Sequence, residues 1–100
     1  MADIYFNEFV WDSDKEAVNI LIHNGITFIH ATECFEDDLP LIFEDLGNFD
    51  EQRFKIFARD FQDDILTIVY TQWQNGDIIR LISARYAEPF EVRIYENTRR

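Results

Sequence analysis

RFKIFARDFQDDILTIVYTQWQNGDIIRLISA, residues 53–84, decides the fold. From Arg53 to Arg59, Phe54, Ile56 and Ala58 alternate with Arg53, Lys55, Phe57 and Arg59. A period of two is the signature of a strand with one face buried. Ile65 to Tyr70 is rich in β-branched residues and predicts a second strand. Phe61–Asp64 is short enough to join the two as a hairpin. Asn75-Gly76 is the strongest turn signal in the chain, because both residue types tolerate left-handed backbone. Gln72–Asp77 therefore reads as a short connection into a third strand, Ile78–Ala84. There, Ile79, Leu81 and Ser83 take one face, Arg80, Ile82 and Ala84 the other, and Arg85 follows at the end.

Helices are expected on both sides of this meander. Ile4 to Trp11 alternates only weakly and predicts a short strand or extended arm. WDSDKE, residues 11–16, opens a helix in which Ser13 caps and Glu16 completes a capping box, with Asp14 favouring the positive helix end. Ala17, Val18, Leu21 and Ile22 form its apolar stripe to about His23, and Asn24-Gly25 ends it. Phe28–Phe35 predicts a second short helix capped by Thr27, and Leu39–Phe43 a short apolar strand interrupted by Pro40. Pro89 suits a first helical turn, so Pro89–Tyr95 predicts a final helix with Phe90, Val92, Ile94 and Tyr95 toward the body, and Asn97–Arg100 frays. The sum is an α+β fold. A small antiparallel sheet carries two N-terminal helices and one C-terminal helix, in one domain spanning residues 1–100.

Composition narrows the function. The net charge is −11, which disfavours broad capture of nucleic acid. The charge is uneven: residues 1–52 hold 13 acids and one base, Lys15, whereas residues 53–100 hold 7 acids and 8 bases. A local phosphate site fits the second half, and a basic partner fits the first. A single cysteine, Cys34, rules out an internal disulfide and a thiolate metal cluster, and reads as a buried thiol. MADIYFNEF lacks a signal-peptide pattern and no apolar run reaches the length of a membrane span, so the expected setting is cytoplasmic. The acids of Glu36–Asp38 and Glu44–Asp45 match no metal-ligand spacing and read as solvated, and His30 reads as a surface residue. Trp11 is an anchor for packing, while Trp73, beside the turn, is placed to meet a partner or a base.

FVWD at 9–12, HNGITF at 23–28, QRF at 52–54, IVYT at 68–71 and IRLISARYA at 79–87, followed by Glu91 and Tyr95, resemble the BrnT toxin family over nearly the whole chain. The resemblance implies a RelE-like fold and a metal-independent RNA-cleaving toxin of a type II toxin–antitoxin system, with no cofactor. It implies a cognate antitoxin (BrnA-like), an RNA substrate, a homodimer within the complex and no membrane. Cleavage by the RNA's own 2′-hydroxyl requires a base, a cation for the phosphorane charge and an acid for the leaving oxygen. The arginine fork suits the middle role, and Arg53, Arg80 and Arg85 are the candidates. His23 is the acid–base candidate. Glu91 and Tyr95, four apart on one helix face, complete the expected catalytic set. Arg53, Arg80, Arg85 and Trp73 are the expected RNA contacts.

Departures from the family pattern are specific. The family usually has Lys-His-Gly where this chain has His23-Asn24-Gly25, and Glu-Arg where it has Gln52-Arg53, with Glu51 one residue away. The family's arginine-rich stretch after Ser83-Ala84-Arg85 is here Tyr86 to Val92, with Arg93 next. A catalytically silent binding or regulatory protein is the alternative, and each arginine pairing with a nearby acid is the structural alternative to a site.

Overall fold

The structure, a computed structural model, describes residues 2–47 and 50–99. The central meander forms as its alternation predicts. Strands Arg53–Arg59 (β4), Ile65–Trp73 (β5) and Ile78–Tyr86 (β6) pair antiparallel in sequence. Leu41–Asp45 (β3) joins β4 at one edge. Beyond β6 the sheet continues through Asp3–Phe6 (β1) and Phe9–Asp12 (β2), in the order β1-β2-β6-β5-β4-β3. Only the β2–β6 pair is parallel, through Phe9–Ile79 and Val10–Arg80. The N-terminal arm is thus a hairpin rather than one extended strand. Asn7 turns it with φ of 53°, a left-handed conformation that asparagine tolerates.

The helices are Ser13–Ile22 (α1), Phe28–Thr32 (α2, continued by a 3-10 turn, Glu33–Glu36) and Pro89–Asn97 (α3). The mainly antiparallel sheet with three helices is the α+β architecture expected. The core lies between one sheet face and the α2 segment. Phe28, Ala31 and Cys34 pack there with Trp11, Ile56, Ala58, Leu66, Ile68 and Leu81. Burial pushes the Cys34 thiol well above its ordinary pKa, so it is an inert packing group.

Local details differ from expectation for physical reasons. Asp12, not Ser13, caps α1: its Oδ1 accepts from the Asp14 amide at 3.3 Å. Glu16 does not close a capping box, because its carboxylate accepts from the Trp11 indole at 3.1 Å and the Phe28 amide at 2.7 Å. The expected apolar stripe of α1 does not meet the core: Val18, Leu21 and Ile22 are exposed, Leu21 at 84%. The buried residue is Asn19, which reaches the edge of β6. Phe90 and Ile94 of α3 are likewise exposed, while Glu91 and Tyr95 are buried. Nor does the C-terminal segment fray throughout. Arg99 stacks on the Tyr95 ring, donates to the Tyr95 and Leu39 carbonyls and pairs with Asp37; Arg100 lies outside the described residues.

The most consequential difference is a β-bulge in β6. Leu81 pairs with Tyr70 and Ser83 with Val69, so Leu81 to Ser83 spans one residue more than its partner. Ile82 is the extra residue. Past it, alternation is inverted: Ala84 joins Ile79 and Leu81 in the core, and Ser83 and Arg85 fall on Arg80's face.

A cationic sheet face

Strand alternation puts Arg53, Lys55 and Arg59 of β4 on the sheet face away from the core, and the bulge puts Arg80 and Arg85 of β6 there too. Five of the nine lysines and arginines therefore share one face. The mean charge of the chain conceals this concentration.

At one end of the face, Arg80 lies directly across from Thr71. Arg53 is one residue beyond the Phe54–Tyr70 pair and so flanks Thr71 from the other side. Neighbouring strands are roughly 4.8 Å apart, so the two arginine backbones stand about 10 Å apart with the threonine between them. Arg80 rests on Trp73, its guanidinium carbon 4.8 Å from the ring centroid, and pairs with Asp3 at 3.2 Å. Arg53 pairs with Glu51 at 3.6 Å. These are partly exposed ion pairs, which an incoming anion can replace at little cost. The Thr71 hydroxyl and Arg80 Nη1 are buried and make no hydrogen bond among the described residues.

At the other end, α3 covers the face. Arg85 forks onto Glu91 at 2.6 and 2.9 Å, and Glu91 also accepts from the Thr67 hydroxyl and the Glu88 amide, each at 2.9 Å. Burial pulls the Glu91 carboxyl up, but the Arg85, Glu88 and Thr67 hydrogen bonds outweigh it and hold it below its ordinary value. The same hydrogen bond raises the Arg85 guanidinium. The Tyr95 hydroxyl donates to Asp37 at 2.5 Å; burial and that bond push it up to about 12. Glu91 is 2% and Tyr95 1% exposed. Arg85, Glu91 and Tyr95 fasten α3 to the sheet.

His23 caps the C-terminal end of α1 and lines a groove of about 390 Å³ with Lys15, Val18, Ile22, Ile82 and Ser83. It stands at the β6 edge, beside the side chain that follows Arg80 on the cationic face. Arg53, Arg80 and Trp73 gather at one end of that face, Arg85, Glu91 and Tyr95 at the other. His30 is not a bare surface residue, since its ring meets the buried Asp60 at 2.8 Å. Burial pulls Asp60 up, yet His30 and the Asp64 and Gln62 amides hold it below its ordinary value. The donor atoms of His30, Glu33 and Asp60 lie within 4.8 Å of one another, close enough to share a cation. In this structure the three are already engaged, Glu33 by the Phe61 amide.

Sequence reasoning passed over Thr71, Lys55, Asp3 and Asn19. A threonine in a β-branched run reads as strand propensity, and only the register shows it between two arginines.

Fold and face define a small α+β protein with a cationic sheet surface. Residues 11–91 match the family described as the ribonuclease toxin, BrnT, of type II toxin–antitoxin systems, and the chain belongs to that family. Among solved structures, the fold is similar to the 1.1 Å crystal structure of the Brucella abortus ribonuclease toxin BrnT. The TM-score is 0.58 at 20% identity, covering 78% of this chain and 92% of that one. No protein with curated annotation matches the sequence. Among the described residues no helix is long and apolar enough to cross a membrane.

Proposed function

We propose that the chain is a metal-independent endoribonuclease toxin of the cytoplasm, acting through the cationic face and restrained by a BrnA-like antitoxin. The row Arg53–Thr71–Arg80 carries this reading. In the reaction, the 2′-oxygen bonds to the adjacent phosphorus and the P–O5′ bond breaks. One proton leaves the 2′-hydroxyl and another reaches O5′, giving a 2′,3′-cyclic phosphate and a 5′-hydroxyl. Arg80 and Arg53 hold the charge that develops on the non-bridging oxygens. Trp73 keeps Arg80 in place and offers a face for a base. His23, at the β6 edge, exchanges the proton. Arg85, Glu91 and Tyr95 position α3 and leave the RNA contacts to the other end of the face.

On this reading the antitoxin docks in the apolar groove where the exposed Val18 and Ile22 of α1 lie beside Ile82, with Leu21 exposed on the same helix. An exposed apolar strip suits a partner, and the acidic N-terminal half suits a basic one. A homodimer within the complex belongs to the same reading.

The purified chain, free of antitoxin and incubated with RNA in excess chelator, should leave cyclic-phosphate ends, and Arg80→Ala should not. A folded wild type that leaves RNA intact would show a silent binding protein. The engagement of Glu91 and Tyr95 in the fold favours that second reading.

A further inference from the structure

Buried hydroxyls almost always find a hydrogen-bond partner. Thr71 does not: it is 2% exposed, and its Oγ1 meets no partner among the described residues. Directly across the ladder, Arg80 Nη1 is buried and equally unmet. Two unmet donors on one row, with Arg53 on the far side, form a charged cradle too specific for packing alone. Valine would fill the threonine's space without leaving a polar atom unsatisfied.

We infer that Thr71 Oγ1 and Arg80 Nη1 together seat one phosphate group of a bound nucleotide chain, each donating to a non-bridging oxygen. The seat rests on the reading that this face meets RNA, and makes Thr71 a positioning residue for it. The carboxylate of Asp3 now holds Arg80 through Nη2 at 3.2 Å and is the stand-in that a phosphate displaces. Displacement frees the guanidinium to turn and opens the row above the hydroxyl. A cleft of about 370 Å³, lined by Gln52, Thr71, Gln72 and Trp73, approaches the same threonine from the end of the sheet. Glu51 also lines it, so a dianion is less welcome there than a phosphodiester.

The test compares wild type, Thr71→Val and Thr71→Ser, using a short single-stranded oligoribonucleotide and inorganic phosphate as probes. Thr71→Val should melt at or above the wild-type temperature, yet bind the oligonucleotide about tenfold more weakly, as expected for a lost hydrogen bond to a charged group. Thr71→Ser should restore binding. Inorganic phosphate at about pH 6, where it is mainly the monoanion, should shift the amide resonances of residues 71 and 80 in wild type and not in Thr71→Val. Equal affinity of wild type and Thr71→Val overturns the seat, even if RNA is cleaved. A loss of affinity accompanied by an equivalent loss of melting temperature also overturns it, as a packing role. Thr71-dependent phosphate shifts in a protein that leaves RNA intact uphold the seat and defeat the ribonuclease reading instead.

Discussion

Asn19 and Ala84 are joined twice: the asparagine Oδ1 accepts from the Ala84 amide at 2.9 Å and its Nδ2 donates to the Ala84 carbonyl at 2.8 Å. A side chain of α1 thus replaces a neighbouring strand along the part of β6 that β2 does not reach. Nδ2 also donates to the Ile26 carbonyl at 3.2 Å, binding the loop after α1 into the same joint. Asn19→Ala would orphan buried backbone groups on two segments and should cost about 3 kcal/mol. Urea unfolding measures it; a change below about 1 kcal/mol would mean water replaces the amide.

Arg80→Ala should abolish RNA cleavage while leaving stability near that of wild type, since Arg80's ion pair with Asp3 is partly exposed. Arg80→Lys should recover only a fraction, because an ammonium cannot fork onto two oxygens. Asp3→Asn should act oppositely and tighten oligonucleotide binding by a few-fold, ~1 kcal/mol or less. Binding titrations at fixed salt would decide; unchanged affinity in Asp3→Asn removes the competition between carboxylate and phosphate.

Acid should loosen α3 before the core. Glu91 and Asp37 are held below their ordinary values. In each case burial pulls upward and is outweighed, by Arg85, Glu88 and Thr67 at Glu91, and by Tyr95, the Leu39 and Arg59 amides and Arg99 at Asp37. A depressed folded pKa contributes stability that is complete above the unfolded value, 4.5 for Glu91 and 3.8 for Asp37, and is lost as pH falls through the folded value. Unfolding midpoints should hold from pH 7 to about 5 and decline below about 4. Glu91→Gln should be less stable than wild type at pH 7, with the gap narrowing in acid. A gap that widens on acidification contradicts the assignment.

Val18→Asp should weaken the toxin–antitoxin complex without unfolding the toxin, because Val18 lines the α1 groove and is 55% exposed. The lost apolar contact and the added charge should reduce affinity by at least tenfold. Calorimetry against the cognate antitoxin would show it; full affinity would move the docking site elsewhere, with exposed Phe90 and Ile94 on α3 the next surface to probe.

The strands were legible because a half-buried strand writes its period into the chain, and β4 begins and ends where its alternation does. Asn75-Gly76 marked its turn through backbone preference alone, with φ of 59° and 94°. Helix burial was less legible. The apolar residues of α1 suggest a core-facing stripe, yet the buried position is the polar Asn19, whose value comes from a strand 65 residues away. The same holds for Glu91, buried only because Arg85 and Thr67 receive it. Of the candidate site, parity made readable that Arg53 and Arg80 each lie opposite the apolar face of their own strand; the row through Thr71 needed the strand order. Arg85's side of the sheet was not readable, because parity breaks at Ile82. Thr71 had no sequence signal separate from strand propensity.

The extra residue in β6 acts as a phase shift. Ile82 has no partner in the ladder, and its half-buried side chain lines the groove beside α1, so exchanging that side chain leaves the register of β6 unchanged. Deleting it would restore unbroken alternation and rotate everything after Leu81 by half a period: Ala84 would leave the core, and Arg85 would enter it, facing away from Glu91. A substitution at Ile82 therefore keeps the phase of β6, whereas a deletion there does not. Insertions or deletions on either side of it should survive only in pairs that restore the phase.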